Sequence, residues 1–251
     1  MFIGHGTPGS RLDRYAAIDD PEWVRRPRVR FIGVDRPGYG YSDPWPEGSL
    51  LDCAGDFVRV ADDLGLERFW ALGASGGGPY VIALGALAPE RVVRIAVVSG
   101  ADVGMDEEET AEELAAELGE EARMLGEEPH EWYAGFVAEV TEVDRRVLER
   151  SEVRAITIGM FQEGVRQGAV GRVDDIVRLG RPWPFRLDEV VADVELHHGE
   201  DDTNAPARPR PSATEAARFS ALYLFTVNDH SFCCARGLPA TSCTPVVSTA
   251  L

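Results

Sequence analysis

Phe69-Trp70-Ala71-Leu72-Gly73-Ala74-Ser75-Gly76-Gly77-Gly78-Pro79-Tyr80 is the stretch on which the fold turns. The apolar run Phe69 to Leu72 reads as a strand, and Tyr80 to Ala88 is compatible with a helix. Between them, Gly73-Ala74-Ser75-Gly76-Gly77 has the G-x-S-x-G spacing of a sharp strand-to-helix turn. A serine hydroxyl is a poor nucleophile until a base removes its proton, so the turn has to lift it toward that base. Such a turn strains the backbone at the serine and leaves no room for bulk two residues to either side, a condition that Gly73 and Gly77 meet. It also frees backbone N–H groups at the start of the next helix, where the helix dipole favours a developing oxyanion, and Gly76 is placed to supply one. The spacing alone also arises in glycine-rich loops, so the rest of the chain has to decide.

Strand and helix alternate around this turn. Arg28 to Asp35 reads as a strand, the glycine- and proline-rich Arg36 to Pro46 as a loop, and Leu50, Ala54, Phe57, Val58, Ala61 and Leu64 fall at helical spacing. Val92 to Val98 is a further strand, and the alternation implies a parallel sheet with helices on both faces. From about Met105 to Pro184 the alternation gives way to a Glu-, Ala-, Leu- and Arg-rich segment of helical periodicity, a helical insertion. Its opening run, Asp106 to Glu109, suits a solvated helix start. Trp132, Tyr133, Phe136, Phe161, Trp183 and Phe185 serve either burial against the main domain or the lining of a pocket. Strand character returns at Val190 to Leu196 and at Ala221 to Val227.

Composition narrows the function classes. The chain has 251 residues, 44% of them apolar, enough for one sizeable α/β domain with an insertion. A net charge of −18, from 43 acidic against 25 basic residues, argues against nucleic-acid binding, which depends on cations neutralising phosphates. All the basic residues are arginine, which we read as the codon bias of a GC-rich genome. The residues after Met1 carry no export signal, and no apolar stretch is long enough to span a membrane. Cys53, Cys233, Cys234 and Cys243 lack metal-ligand spacing with histidine and are expected to be reduced thiols in a cytoplasmic protein. No metal cluster, phosphate-binding loop or dinucleotide fingerprint is present, so no cofactor is expected.

The base is sought among His5, His130, His197, His198 and His230. His230 is preferred, because it follows the last strand after a short Asn228-Asp229 turn and catalytic groups collect at strand ends of parallel sheets. His130, in the insertion, reads as an exposed polar residue. An acid must hold the tautomer of the base and stabilise its cation, and His198 to Pro206 offers one directly after a strand. Asp202 is chosen over Asp201, with Asp102 in reserve after the preceding strand; either of the first two also suits a helix cap or turn closure. A second oxyanion donor is sought in His5-Gly6-Thr7-Pro8-Gly9-Ser10, where Pro8 has no N–H and Thr7 is therefore the candidate. A plain glycine-proline turn is the competing reading. His5 reads as structural, orienting the loop.

His5-Gly6-Thr7-Pro8-Gly9, Asp35-Arg36-Pro37-Gly38-Tyr39-Gly40-Tyr41-Ser42, Gly73-Ala74-Ser75-Gly76-Gly77-Gly78-Pro79-Tyr80 and His198-Gly199-Glu200-Asp201-Asp202 together resemble the α/β-hydrolase superfamily over about Gly4 to Phe232. The resemblance implies an eight-stranded, mostly parallel sheet flanked by helices, with core segments at 1–104 and 187–251 and a helical cap at 105–186. It implies Ser75 as nucleophile, Asp202 as acid, His230 as base, and Thr7 with Gly76 as oxyanion donors. The Asp35 to Ser42 loop is expected to shape the fold.

Two departures accompany the resemblance. The chain begins inside the strand that leads into the His5-Gly6 loop, without the β-hairpin that relatives carry before it, which predicts an unpaired edge on the Arg28 to Val34 strand, with either self-association into a homo-oligomer or lower stability as the consequence. After His230, residues 233–251 form an atypical tail with no helical period, and Ala207-Arg208-Pro209-Arg210-Pro211 interrupts another expected helix. Reading-frame errors or degeneration would account for both segments. The function expected is that of a serine hydrolase acting on a small or medium carboxylic ester through an acyl-enzyme on Ser75. Carbon–carbon hydrolysis, peptidase and acyl-transfer chemistry share the same triad, and a non-catalytic or degenerate binding protein of the same fold is the alternative.

Overall fold

Alternating burial along the central strand sets the sheet: Phe69, Ala71 and Gly73 are buried, while Trp70, Leu72 and Ala74 are not. In the computed structural model, residues 1–13, 29–100, 110–199, 202 and 205 are described, together with the backbone of 219–225. Six strands form one sheet: β1 (Phe2–Gly4), β2 (Ile32–Gly33), β3 (Phe69–Ala74), β4 (Val92–Val98), β5 (Asp193–Gly199) and β6 (Phe219–Phe225). Their order is β2-β1-β3-β4-β5-β6, and every neighbouring pair is parallel. The register Gly4↔Gly73, Ala74↔Val98 and Val98↔His197 aligns the carboxyl ends of β1, β3, β4 and β5 along one edge. Strand order reverses between β1 and β3, and a crevice opens at the carboxyl ends of strands where an α/β sheet does this.

Helices flank the sheet. α1 (Leu50–Asp63) starts at a capping box in which the Ser49 hydroxyl accepts from the Asp52 N–H and the Asp52 carboxylate accepts from the Ser49 N–H. Its apolar face, Leu50, Cys53, Ala54, Phe57 and Ala61, is buried with Tyr80, Val81, Ala83 and Leu84 of α2 (Gly78–Leu87) against the strands. Phe2 of β1 meets Phe57 and Phe69 edge-on, with ring centroids 5.6 and 5.0 Å apart, so the first strand is tied to both helix and sheet. Cys53 is a free thiol in this core, and burial pushes its pKa up to about 11.

Between β4 and β5 the described residues form α3 (Ala111–Glu127), α4 (Pro129–Glu139), α5 (Glu142–Leu148), α6 (Ser151–Gly164) and α7 (Val170–Gly180). The aromatic residues of this segment are used for packing. Trp132 stacks on Phe136 at 5.3 Å and meets Phe161 edge-on at 5.1 Å, next to buried Leu125 and Val165. Trp183 and Phe185 stack at 5.3 Å and pack on the main core.

Several element bounds differ from the sequence expectation. The strand expected at Arg28 to Asp35 is only Ile32–Gly33, because β1 offers it just three residues as a partner. β3 extends to Ala74, and a single 3-10 turn, Ser75–Gly77, precedes α2. β5 starts at Asp193 instead of Val190: a tight turn at Leu187–Glu189 ends on Val190, whose side chain is buried in the core. β6 covers Phe219–Phe225, in register with β5, and starts two residues before the expected Ala221; residues 226 and 227 lie outside the described residues. The resemblance implies eight strands, and the described residues form six, with β2 at the edge of the sheet. The run at Asp106 to Glu109 lies outside the described residues. Among the described residues no helix is long and apolar enough to cross a membrane.

Candidate active site

Ser75 follows β3 directly and has φ of +49°, a left-handed conformation that costs a non-glycine residue on the order of 1–2 kcal/mol. Close packing under the turn holds it there. A β-carbon on Gly73 would lie 2.6 Å from the Gly77 carbonyl oxygen, and one on Gly77 would strike the carbonyls of Gly4 and His5. Both obstructions are backbone and cannot rotate away. Gly77→Ala is therefore expected to cost about 1–3 kcal/mol as overpacking, whereas Gly119→Ala on α3, with open space around the site, should gain about 0.5–1 kcal/mol. Urea denaturation of the two variants checks both signs.

The loop after β1 lies against this turn. A β-carbon on Gly6 would be 3.6 Å from the Ser75 β-carbon, and one on Gly76 would press on the Thr7 hydroxyl, 3.5 Å from the Thr7 nitrogen. Thr7 and Gly76, the two candidate oxyanion donors, are therefore adjacent. Among the described residues the Thr7 N–H has no acceptor, and Ser75 is partly exposed.

A buried polar network holds this loop from behind. Asp175 of α7 has no exposure, and its carboxylate accepts from the Thr7 hydroxyl at 2.8 Å, the Tyr39 hydroxyl at 2.9 Å, the Tyr80 hydroxyl and the Arg36 guanidinium. Arg178 Nη1 adds a fifth donor at 3.3 Å. Arg36, 1% exposed, also donates to the carbonyls of His5 and Gly6, the latter at 3.0 Å, and to the Thr7 hydroxyl at 3.0 Å. Burial, the largest single influence, would raise the Asp175 carboxyl, but the Arg36 charge together with the hydrogen bonds from Arg36 and Tyr80 and the Arg178 charge holds Asp175 below its ordinary value. Burial, then the Asp175 charge, pushes the phenols of Tyr39 and Tyr80 well up, so both remain protonated donors.

His5 is fully buried and both ring nitrogens are engaged. Nε2 accepts from the Arg36 N–H at 3.2 Å, so Nδ1 carries the proton and donates to the Gly6 carbonyl at 2.8 Å. Burial, reinforced by the Arg36 charge, lowers its pKa from 6.5 to about 3. His5 is thus a neutral structural group, in line with its reading as a loop-orienting residue. Its linkage has a defined sign: the unfolded chain takes up this proton below pH 6.5 and the folded chain does so only near pH 3, so stability falls as pH drops through that window. Between pH 6.5 and 5, above most carboxylate titrations, the slope is expected to approach about 1.4 kcal/mol per pH unit, and His5→Asn should flatten it in denaturation midpoints measured across that range.

Of the other candidates, Asp202 lies just past the carboxyl end of β5, on the same edge as Ser75. Its Oδ1 accepts from the Ala205 N–H at 2.8 Å, and its Oδ2 is 3.7 Å from His198 Nε2. His198 is buried, with Nε2 on the Ala205 carbonyl, and His130 is exposed. His230, Asp102 and Asp201 lie outside the described residues. The sequence reading missed Asp175, Arg178 and the central place of Arg36. The Asp174-Asp175 pair on α7, flanked by Arg172 and Arg178, has the pattern of a solvated helix face, and only its burial gives it away.

Residues 1–181 match a family model described as alpha/beta hydrolase fold. Among solved structures, an alpha/beta hydrolase fold protein from Nakamurella multipartita is 23% identical, covering 89% of this chain and 81% of that one with a TM-score of 0.63. A thermophilic esterase from Thermogutta terrifontis is 17% identical, covering 90% and 80% with a TM-score of 0.60. The enol-lactonase from Burkholderia xenovorans is 18% identical, covering 90% and 82% with a TM-score of 0.61. At these identities the likeness is one of fold. A curated relative, the dihydrolipoyllysine-residue acetyltransferase component of the acetoin cleaving system of Cupriavidus necator, is 36% identical over 105 residues, 41% of this chain. The matched part is 27% of that protein's length.

Proposed function

Because this chain belongs to the α/β-hydrolase family, we propose that it is a serine hydrolase that cleaves small or medium carboxylic esters through an acyl-enzyme on Ser75. The observation that carries this reading is the strained, partly exposed Ser75 at a strand-to-helix turn, with Thr7 and Gly76 side by side next to it. His230, held by Asp202, takes the Ser75 proton as the oxygen attacks the ester carbonyl. The carbonyl oxygen becomes an alkoxide, which the N–H groups of Thr7 and Gly76 stabilise. Collapse of this intermediate expels the alcohol with the proton held by His230 and leaves the acyl group on Ser75. Water, deprotonated by His230, then attacks the acyl carbon, releases the acid and restores the serine.

In this reading the segment 105–186 is a cap over the site, and its side chains select the acyl and alcohol groups. An ester is the favoured substrate class, supported by two of the neighbours named above being described as an esterase and an enol-lactonase; the curated relative, described as an acetyltransferase component, keeps acyl transfer as the second chemistry. Labelling with a fluorophosphonate tests the site. Labelling that is strong in the wild type, absent in Ser75→Ala and much slower in His230→Ala is expected. A folded wild-type protein that never labels, yet binds small molecules with an affinity indifferent to both substitutions, would identify a binding protein instead.

A further inference from the structure

We infer that Asp175, on α7, is a positioning residue for the oxyanion donor Thr7, acting through the Thr7 hydroxyl and the Arg36 guanidinium. The inference rests on the serine-hydrolase reading of the site.

A peptide N–H stabilises an alkoxide only if it is aimed before the charge forms, so something must fix the orientation of the Thr7 peptide. His5 fixes the start of the segment through its bond to the Gly6 carbonyl, and this network fixes the rest. The His5 carbonyl, the Gly6 carbonyl and the Thr7 hydroxyl all accept from Arg36, and the Thr7 hydroxyl donates its own proton to Asp175 at 2.8 Å. Arg36 is in turn held by Asp175 through Nε, at 3.2 Å, and Nη2. With hydroxyl and carbonyls bound on one side, the Thr7 N–H is left without an acceptor among the described residues. A single carboxylate therefore restrains the donor loop both directly and through the guanidinium. Charged hydrogen bonds of this kind are strong and directional, and burial in the low-dielectric interior strengthens them further.

Asp175 reaches the loop because α7 is seated closely on the Arg36 to Ser42 turn. Gly171 and Gly38 approach so closely that a β-carbon on Gly171 would lie 2.8 Å from the Gly38 carbonyl carbon. Just before the helix, Gln167 Nε2 donates to the carbonyls of Gly40 and Ser42 at 3.1 and 2.8 Å. The helical segment between β4 and β5 is thereby linked to the donor loop next to Ser75.

Thr7→Val tests the link, since it keeps the peptide N–H and the side-chain shape and replaces the hydroxyl by a methyl, which neither donates to Asp175 nor accepts from Arg36. Turnover of a p-nitrophenyl ester is expected to lose about 10- to 100-fold in kcat with little change in KM, the pattern of an interaction made only in the transition state. Thr7→Ser, which restores the hydroxyl, should recover most of the rate. Asp175→Asn should fall in the same way, and the Thr7→Val/Asp175→Asn double variant should be little worse than either single one, because both break one connection. If Asp175→Asn does not fold, the contrast between Val and Ser at position 7 decides the matter alone. The amide ¹⁵N order parameter of residue 7 is independent of turnover: it should fall in Thr7→Val and stay at the wild-type value in Thr7→Ser. If the wild type shows no Ser75-dependent turnover, the hydrolase reading fails and the order parameter still judges the link. Wild-type kcat in Thr7→Val, or an unchanged order parameter at residue 7 in that variant, would overturn the inference.

Discussion

Ser75→Ala is expected to lower kcat for a carboxylic ester by about 10⁵-fold or more, because the acyl-enzyme can no longer form and only the oxyanion donors and substrate binding continue to help water attack. The fold should tolerate the change. Both residues carry a β-carbon and meet the same strain at the φ of +49°, so the midpoint of thermal unfolding should stay close to that of the wild type. A large loss of rate in a stably folded variant is what separates a nucleophile from a serine that merely occupies a tight turn. Steady-state turnover beside differential scanning calorimetry reads both quantities.

The second large effect falls on stability. Asp175→Ala would leave the Arg36 and Arg178 guanidinium groups buried without their shared counter-charge, and would remove the acceptor of the Thr7, Tyr39 and Tyr80 hydroxyls. Breaking a buried pair by removing one partner costs about 3–5 kcal/mol, a large part of the roughly 5–15 kcal/mol that holds an ordinary domain together. Urea denaturation should show a much lower midpoint with an unchanged slope. The effect has a pH sign as well. Since Arg36 holds the folded Asp175 carboxyl below its ordinary value, its contribution is present at neutral pH and is lost as pH falls through that lowered value. By contrast, the exposed Arg150–Glu152 pair screens in solvent, and Glu152→Ala should leave the midpoint where it is.

The parts of this molecule that a sequence can express are those written in local spacing. Gly73 and Gly77 are read as the flanks of a sharp turn because bulk does not fit two residues to either side of Ser75, and each is found against backbone carbonyls, Gly73 against that of Gly77 and Gly77 against those of Gly4 and His5. The helix Leu50–Asp63 and the strand Val92–Val98 were readable from apolar period alone. His5 was readable as a structural residue from its place in the loop, and its two engaged nitrogens fit that role. What the sequence does not express is the identity of a partner from a distant segment. Asp175 is 139 residues from Arg36 and 168 from Thr7, and an acid between two arginines on a helix looks solvated until the helix is seated. The aromatic residues show the same limit, since Trp132 and Trp183 read alike in the chain but pack in different clusters. Strand bounds near β2 and β5 were misplaced because they depend on the length of the neighbouring strand and on the turn at Leu187–Glu189.

The central claim, that Ser75 carries the acyl group, is tested most directly by rapid acid quenching of the protein with p-nitrophenyl acetate followed by peptide mass mapping. The account predicts one acetyl group on the peptide containing Ser75, appearing with the burst of nitrophenol and absent in Ser75→Ala. Turnover of the ester with no acyl adduct on that peptide, or with an equal rate in Ser75→Ala, would contradict it.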